Sequence, residues 1–143
     1  MLPKIHTVVY SSAMSKKDMF PKLEGSQLEG FDPVAVIESL EVIDTKIGQG
    51  EEVKKGATIS AHYTGALAKT GVIFQSSIDM GRPITFGLDQ VIEGWQDGVP
   101  GMKVGGTRRI KIPAAMAYGA SSPAANIPPH SDLVFDIELK AIR

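Results

Sequence analysis

Three stretches of this chain alternate apolar and polar residues at every second position, and a helical spacing occurs only once. In Thr58–Leu67, Ile59, Ala61 and Tyr63 fall on one side and Ser60, His62 and Thr64 on the other, the period of a half-buried strand. Arg108, Ile110 and Ile112 alternate with Thr107, Arg109 and Lys111, which predicts a half-exposed strand whose basic residues form a solvated face. The last run is the cleanest: Leu133, Phe135, Ile137 and Leu139 face one way, Asp132, Val134, Asp136, Glu138 and Lys140 the other. Leu40–Ile47, Val72–Phe74 and Ile84–Leu88 read as shorter strands. Trp95, Val99 and Met102 share the one helical face, on a helix kept short by Gly94, Gly98, Pro100 and Gly101. Strands without intervening helices cannot form parallel crossover units. The pattern therefore predicts an α+β domain with a mainly antiparallel sheet, one face packed on the helix and the other wet.

Between these runs, Gly48-Gln49-Gly50 and Gly105-Gly106 read as turns, Gly65 and Gly71 as brackets of a bend, and Ala114–His130 as a long loop centred on Tyr118-Gly119. Residues 1–36 show little periodicity and are interrupted by Pro3, Pro21 and Pro33, so they read as an N-terminal extension with a strand at Ile5–Tyr10, ahead of a domain at 37–143. A loose tail and a segment that pairs with a sheet edge or a partner both remain open for it.

A chain of 143 residues suits one domain with a real core. Its net charge of −1 gives no field that would draw nucleic acid or an anionic membrane. The absence of cysteine excludes disulfides and thiolate metal sites. With no apolar run at the N-terminus long enough for a signal peptide or a span, the chain reads as cytoplasmic. No glycine-rich phosphate cradle follows a strand, and no serine sits in a nucleophile elbow. His6, His62 and His130 lack metal-ligand spacing, so neither a metal nor a cofactor is expected. The sole tryptophan, Trp95, follows Val91-Ile92-Glu93-Gly94 and can floor either the core or a pocket.

Taken together, His62-Tyr63-Thr64-Gly65, Phe74-Gln75-Ser76-Ser77, Val91-Ile92-Glu93-Gly94-Trp95, Ala117-Tyr118-Gly119, Ile127-Pro128-Pro129-His130 and Leu133–Leu139 become specific. In this order and spacing the chain, from about Leu40 onward, resembles the FKBP-type peptidyl-prolyl cis-trans isomerases, which also bind macrolide immunosuppressants. The resemblance implies a five-to-six-stranded antiparallel sheet wrapped around one short α-helix, with an apolar pocket between them. It implies Trp95 as the pocket floor and Tyr63, Phe74, Val91, Ile92, Tyr118, Ile127 and Phe135 as walls and rim. It also implies that the Tyr118 hydroxyl and the Ile92 N–H donate to ligand carbonyls, and that Ser121–Asn126 forms a flap. Implied partners are Pro-containing peptides or proteins and rapamycin-like macrolides, met by a monomer.

Three positions depart from the family pattern. Gln75 stands where the family has an aspartate pointing into the pocket, Ile84 where a second aromatic is common, and Pro100 where relatives usually continue the helix. The leading reading is an isomerase that turns X–Pro bonds and assists folding. The alternative is a module that grips Pro-containing partners or macrolides with weak or no turnover, because Gln75 lacks the charge. A third reading gives the main role to the extension, with the isomerase fold as its scaffold.

Overall fold

A computed structural model describes residues 23–143. The strand expected at Ile5–Tyr10 lies outside the described residues. Among the described residues six strands form one sheet: β1 Glu41–Lys46, β2 Thr58–Leu67, β3 Ile73–Ser76, β4 Ile84–Gly87, β5 Thr107–Ile112 and β6 Leu133–Ile142. The single α-helix among the described residues, α1, spans Glu93–Gly98 and stops before Pro100, which could donate no helical hydrogen bond. The strand order is β1-β5-β6-β2-β3, every pairing is antiparallel, and β4 pairs with the first half of β2 while β3 takes the second.

One face of this sheet closes over α1. Ile59, Ala61, Ile110, Ile112, Leu133, Phe135, Ile137 and Leu139 bury against Trp95, Val99 and Met102. β2 and β6 run side by side from Ile59 opposite Ile142 to Leu67 opposite Leu133, with a register shift between Ser60 and Ala61. Gly65 does not bracket a bend. It lies inside β2, opposite Phe135, where a Cβ would sit 2.6 Å from both the Phe135 and the Phe74 ring. Only a residue without a side chain leaves room for those rings to cross the strand there.

The other face is not simply wet. Leu23, Leu28, Phe31 and Ile37 lie on Ala66, Ala68, Ile73 and Val134 in a second buried cluster. Hydrogen bonds pin this segment along its length. The Leu23 N–H donates to the Asp79 carboxylate at 2.9 Å, the Leu28 N–H to the Gly71 carbonyl at 2.8 Å, and the Ile37 N–H to Asp132 at 2.8 Å. Residues 23–36, expected as part of an extension, are thus a strap across the sheet. Val134, expected on the solvent side, is fully buried beneath it.

The basic residues of β5 are a second correction. Arg109 is not solvated: its guanidinium grips Asp136 at 2.6 and 2.8 Å and donates to the Glu29 and Gly30 carbonyls of the strap, above the ring of Phe31. Arg108 is 8% exposed and turns to the helix side. It donates to Asp44 on β1 at 2.6 Å and to the Gly98 carbonyl, at the end of α1, at 2.8 Å. A cation there complements the free carbonyls and the negative end of the helix.

Candidate active site

α1 reaches the sheet closely because its glycines face β5. A Cβ on Gly94 would meet Ile112 at 2.5 Å, and one on Gly98 would meet Ile110 at 2.9 Å. Glycine weakens a helix, but here it lets the backbone lie flush and aims Trp95 back across the sheet. Trp95 is 4% exposed and forms the centre of an aromatic set. Its ring stands edge to face with Tyr63 at 5.4 Å, Phe86 at 5.1 Å and Phe135 at 5.3 Å between centroids. Phe74 meets Phe135 in the same way at 5.8 Å.

Over the indole lies a hollow of about 320 Å³. Tyr63 on β2, Phe74 and Gln75 on β3, Ile84 and Phe86 on β4, and Phe135 on β6 line it from the sheet. Gln90, Val91, Ile92 and Trp95 line it from the turn and helix, and Tyr118 from the long loop. One water takes about 30 Å³ of liquid volume, so several waters, or a pyrrolidine ring with its neighbouring atoms, fit here.

Nine of the ten residues singled out from the sequence are brought together: Tyr63, Phe74, Gln75, Ile84, Val91, Ile92, Trp95, Tyr118 and Phe135. The tenth, Ile127, is not among the lining residues. It is 5% exposed and packs into the main core beneath the loop. Phe86 and Gln90 line the hollow as well, and neither stands in a motif that carries the resemblance. The alternation in Ile84-Thr85-Phe86 could have shown Phe86, since it places that ring on the same side as Ile84. Gln90 carried no such signal, because it sits on a 3-10 turn, Leu88–Gln90, that the sequence read as the end of a strand and a loop.

The polar groups of the hollow are few. Ile92 precedes the first turn of α1 and its carbonyl accepts from the Trp95 and Gln96 N–H groups. Among the described residues its own N–H has no partner, as at other helix starts, where the first amides are left free. Gln96 Nε2 donates to the Val91 carbonyl at 2.8 Å and fixes the approach to the helix. Burial, and then the neighbouring Tyr118, push the Tyr63 phenol above its ordinary pKa, so it stays protonated and can donate. The Ser77 hydroxyl, fully buried, accepts from the Tyr63 N–H at 2.8 Å and contacts His62 Nδ1 at 2.7 Å, which holds β3 against β2. Across the mouth, Asn126 Nδ2 donates to the Phe74 carbonyl at 2.9 Å and ties the loop 121–126 to the same strand.

An antiparallel sheet thus curls over a short helix, with an aromatic hollow floored by an indole between them. Residues 49–140 match the family model described as FKBP-type peptidyl-prolyl cis-trans isomerase. The chain is 48% identical over 103 residues to the FK506-binding protein of Neisseria meningitidis serogroup A, which covers 71% of this chain and 94% of that protein. It is 40% identical over 112 residues to the peptidyl-prolyl cis-trans isomerase FPR2 of Saccharomyces cerevisiae, covering 77% and 80%. Among solved structures, AtFKBP13 superposes with a TM-score of 0.64 at 39% identity, covering 73% of this chain and 93% of that one. The isomerase of Pseudomonas syringae pv. tomato superposes at 0.66 with 33% identity, covering 75% and 77%. The chain belongs to the FKBP-type peptidyl-prolyl cis-trans isomerases.

Proposed function

We propose that X–Pro bonds of protein segments turn in the hollow over Trp95, and that the same hollow takes rapamycin-like macrolides. The observation that carries this is the open space itself, lined by five aromatic rings with a sixth, the Trp95 indole, as its floor. The amide barrier is about 18–20 kcal/mol, and uncatalysed exchange takes roughly tens to hundreds of seconds. No bond breaks, so the chemistry needs no nucleophile. A planar X–Pro amide has a large resonance dipole that water solvates well. The twisted amide has lost that conjugation and is the less polar state, so a dry aromatic wall favours it over the planar one. In this reading the Ile92 N–H and the Tyr118 hydroxyl, both on lining residues, donate to carbonyls of the bound segment. A thousandfold acceleration requires only about 4 kcal/mol of such differential binding, at about 1.4 kcal/mol per tenfold.

The test is a protease-free isomerisation assay on a Pro-containing peptide, run with and without a rapamycin-like macrolide while Trp95 emission is followed. Acceleration that the macrolide abolishes, with a saturable change in emission, is the expected outcome. A rate equal to the uncatalysed one would end the reading of catalysis. Unchanged emission at saturating macrolide would end the assignment of the indole as the floor.

A further inference from the structure

The lining sorts by depth. Trp95, Phe74 and Phe135 are buried, and Tyr63, Ile84, Phe86, Val91 and Ile92 are half-buried. The three exposed members are Gln75, Gln90 and Tyr118, which therefore make the mouth. A pyrrolidine ring seated over the indole leaves the side chain of the preceding residue at this mouth. All three groups there are polar, and none is a carboxylate or a cation.

Several charged residues near the lining in sequence are directed elsewhere or stand free. The Asp79 carboxylate accepts from the Leu23 and Glu24 N–H groups of the strap. Asp89 folds back over its own turn, with Oδ1 2.8 Å from where a Cβ on Gly87 would lie. Glu93 is exposed in the first turn of α1, and Arg82 is exposed in the loop before Pro83. Position 75 lines the mouth from β3, is exposed, and holds a carboxamide. A carboxamide can donate to a carboxylate as well as accept from an ammonium.

We propose that Gln75 sets the sequence preference of this isomerase, by making a mouth that accepts an acidic residue ahead of proline as readily as a neutral one. This rests on the isomerase reading for what enters the hollow. Gln75 acts on selection between substrates. The floor and walls, which meet the rotating bond, are the same for each.

The experiment compares peptides that differ only in having Glu-Pro, Gln-Pro or Lys-Pro, with wild type, Gln75→Asp and Gln75→Glu, at low and high salt. For wild type, kcat/KM for Glu-Pro should lie within about twofold of that for Gln-Pro and vary little with salt. Gln75→Asp should lower Glu-Pro about fivefold to tenfold relative to Gln-Pro, raise Lys-Pro, and lose most of that contrast in high salt, as expected for a charge pair near the surface. A wild-type preference for Gln-Pro over Glu-Pro above about fivefold would overturn the proposal, as would a Glu-Pro to Gln-Pro ratio unchanged by Gln75→Asp. Equilibrium binding of the same peptides, read by Trp95 emission, measures the preference without turnover. Flat rates on every peptide with binding ratios as stated would refute the isomerase reading and uphold the charge preference. Binding ratios that favour Gln-Pro in wild type would refute the preference whatever the rates.

Discussion

Replacing Arg108 with alanine tests whether a single buried cation holds the floor of the hollow in place. The guanidinium donates to Asp44 at 2.6 and 3.2 Å, to the Gly98 carbonyl at 2.8 Å and to the Pro100 carbonyl at 3.2 Å. The Asp44 side chain is 36% exposed, so solvent takes over much of what that pair supplies, and its loss costs only about 0.5–1 kcal/mol. The carbonyls are different. They close the helix that carries Trp95, the Gly98 contact is buried, and hydrogen bonds to a charged donor are worth about 1.5–3 kcal/mol each. Allowing for water entering the space left by the side chain, Arg108→Ala should cost about 3–4 kcal/mol, a large part of the roughly 5–15 kcal/mol that stabilises an ordinary domain. Arg108→Met keeps the apolar stem and should recover only the packing share. Asp44→Asn should cost about 1 kcal/mol or less, because the carbonyl contacts remain. Urea unfolding followed by Trp95 emission measures all three, with the peptide-isomerisation rate as a reading of the floor's position. A loss under about 1 kcal/mol for Arg108→Ala, or an equal loss for Asp44→Asn, would show that the helix end is satisfied by other means.

Gly65→Ala should force apart the Phe74 and Phe135 rings, which its Cβ would approach to 2.6 Å, costing about 1–3 kcal/mol and lowering kcat/KM as well. Full stability and activity in that variant would mean the rings have room to spare. Asp79→Ala removes the acceptor for the Leu23 and Glu24 N–H groups, so amide exchange at Leu28 and Val34 should speed up while β2 and β6 stay protected. Unchanged exchange in the strap would show that its apolar contacts suffice. Burial raises the Tyr63 pKa, so the folded state holds that proton more tightly than the unfolded one. The resulting stability is complete below the ordinary tyrosine value of about 10 and is lost as pH rises through the raised value in the folded state. Unfolding of wild type and Tyr63→Phe compared from neutral pH to above 10 should show the wild type losing ground at the alkaline end, and parallel curves would refute the shift.

What could be read from the sequence was whatever is encoded locally. The alternation of β2, β5 and β6 gave their faces, since a strand shows its buried side at every second residue. The glycines and Pro100 gave the short helix. Most of the site was legible because its residues cluster in a few contiguous motifs. Partners distant in the chain were not legible. Arg108 alternates in phase with Ile110 and Ile112, so its side was clear, but its burial depends on Asp44, 64 residues away, and on the end of α1. Arg109 depends in the same way on carbonyls 79 and 80 residues away. The strap shows no period because it is neither helix nor strand. Leu23, Leu28 and Phe31 each plug a separate part of a surface that exists only once the sheet has formed. Val134 then reads as solvent-facing until the segment that covers it is known.

The hollow persists because the frame around it is fixed by bonds that do not involve the side chains of its walls. A dry closed cavity of about 320 Å³ would cost about 8 kcal/mol at roughly 24 cal/mol per Å³, comparable with the whole stability of a domain. An open one is wetted, so the penalty is smaller, yet collapse would still gain packing if the walls could move inward. The backbone of β3 is held by Ser77 on one side and by Asn126 on the other, and the helix is held by Arg108. The rings stand edge to face, so a turn of one ring drives it into the edge of its neighbour rather than into the space. A ligand ring then displaces water from apolar surface without first having to open the site or order its walls, and the interactions it makes there remain available to favour the twisted amide over the planar one.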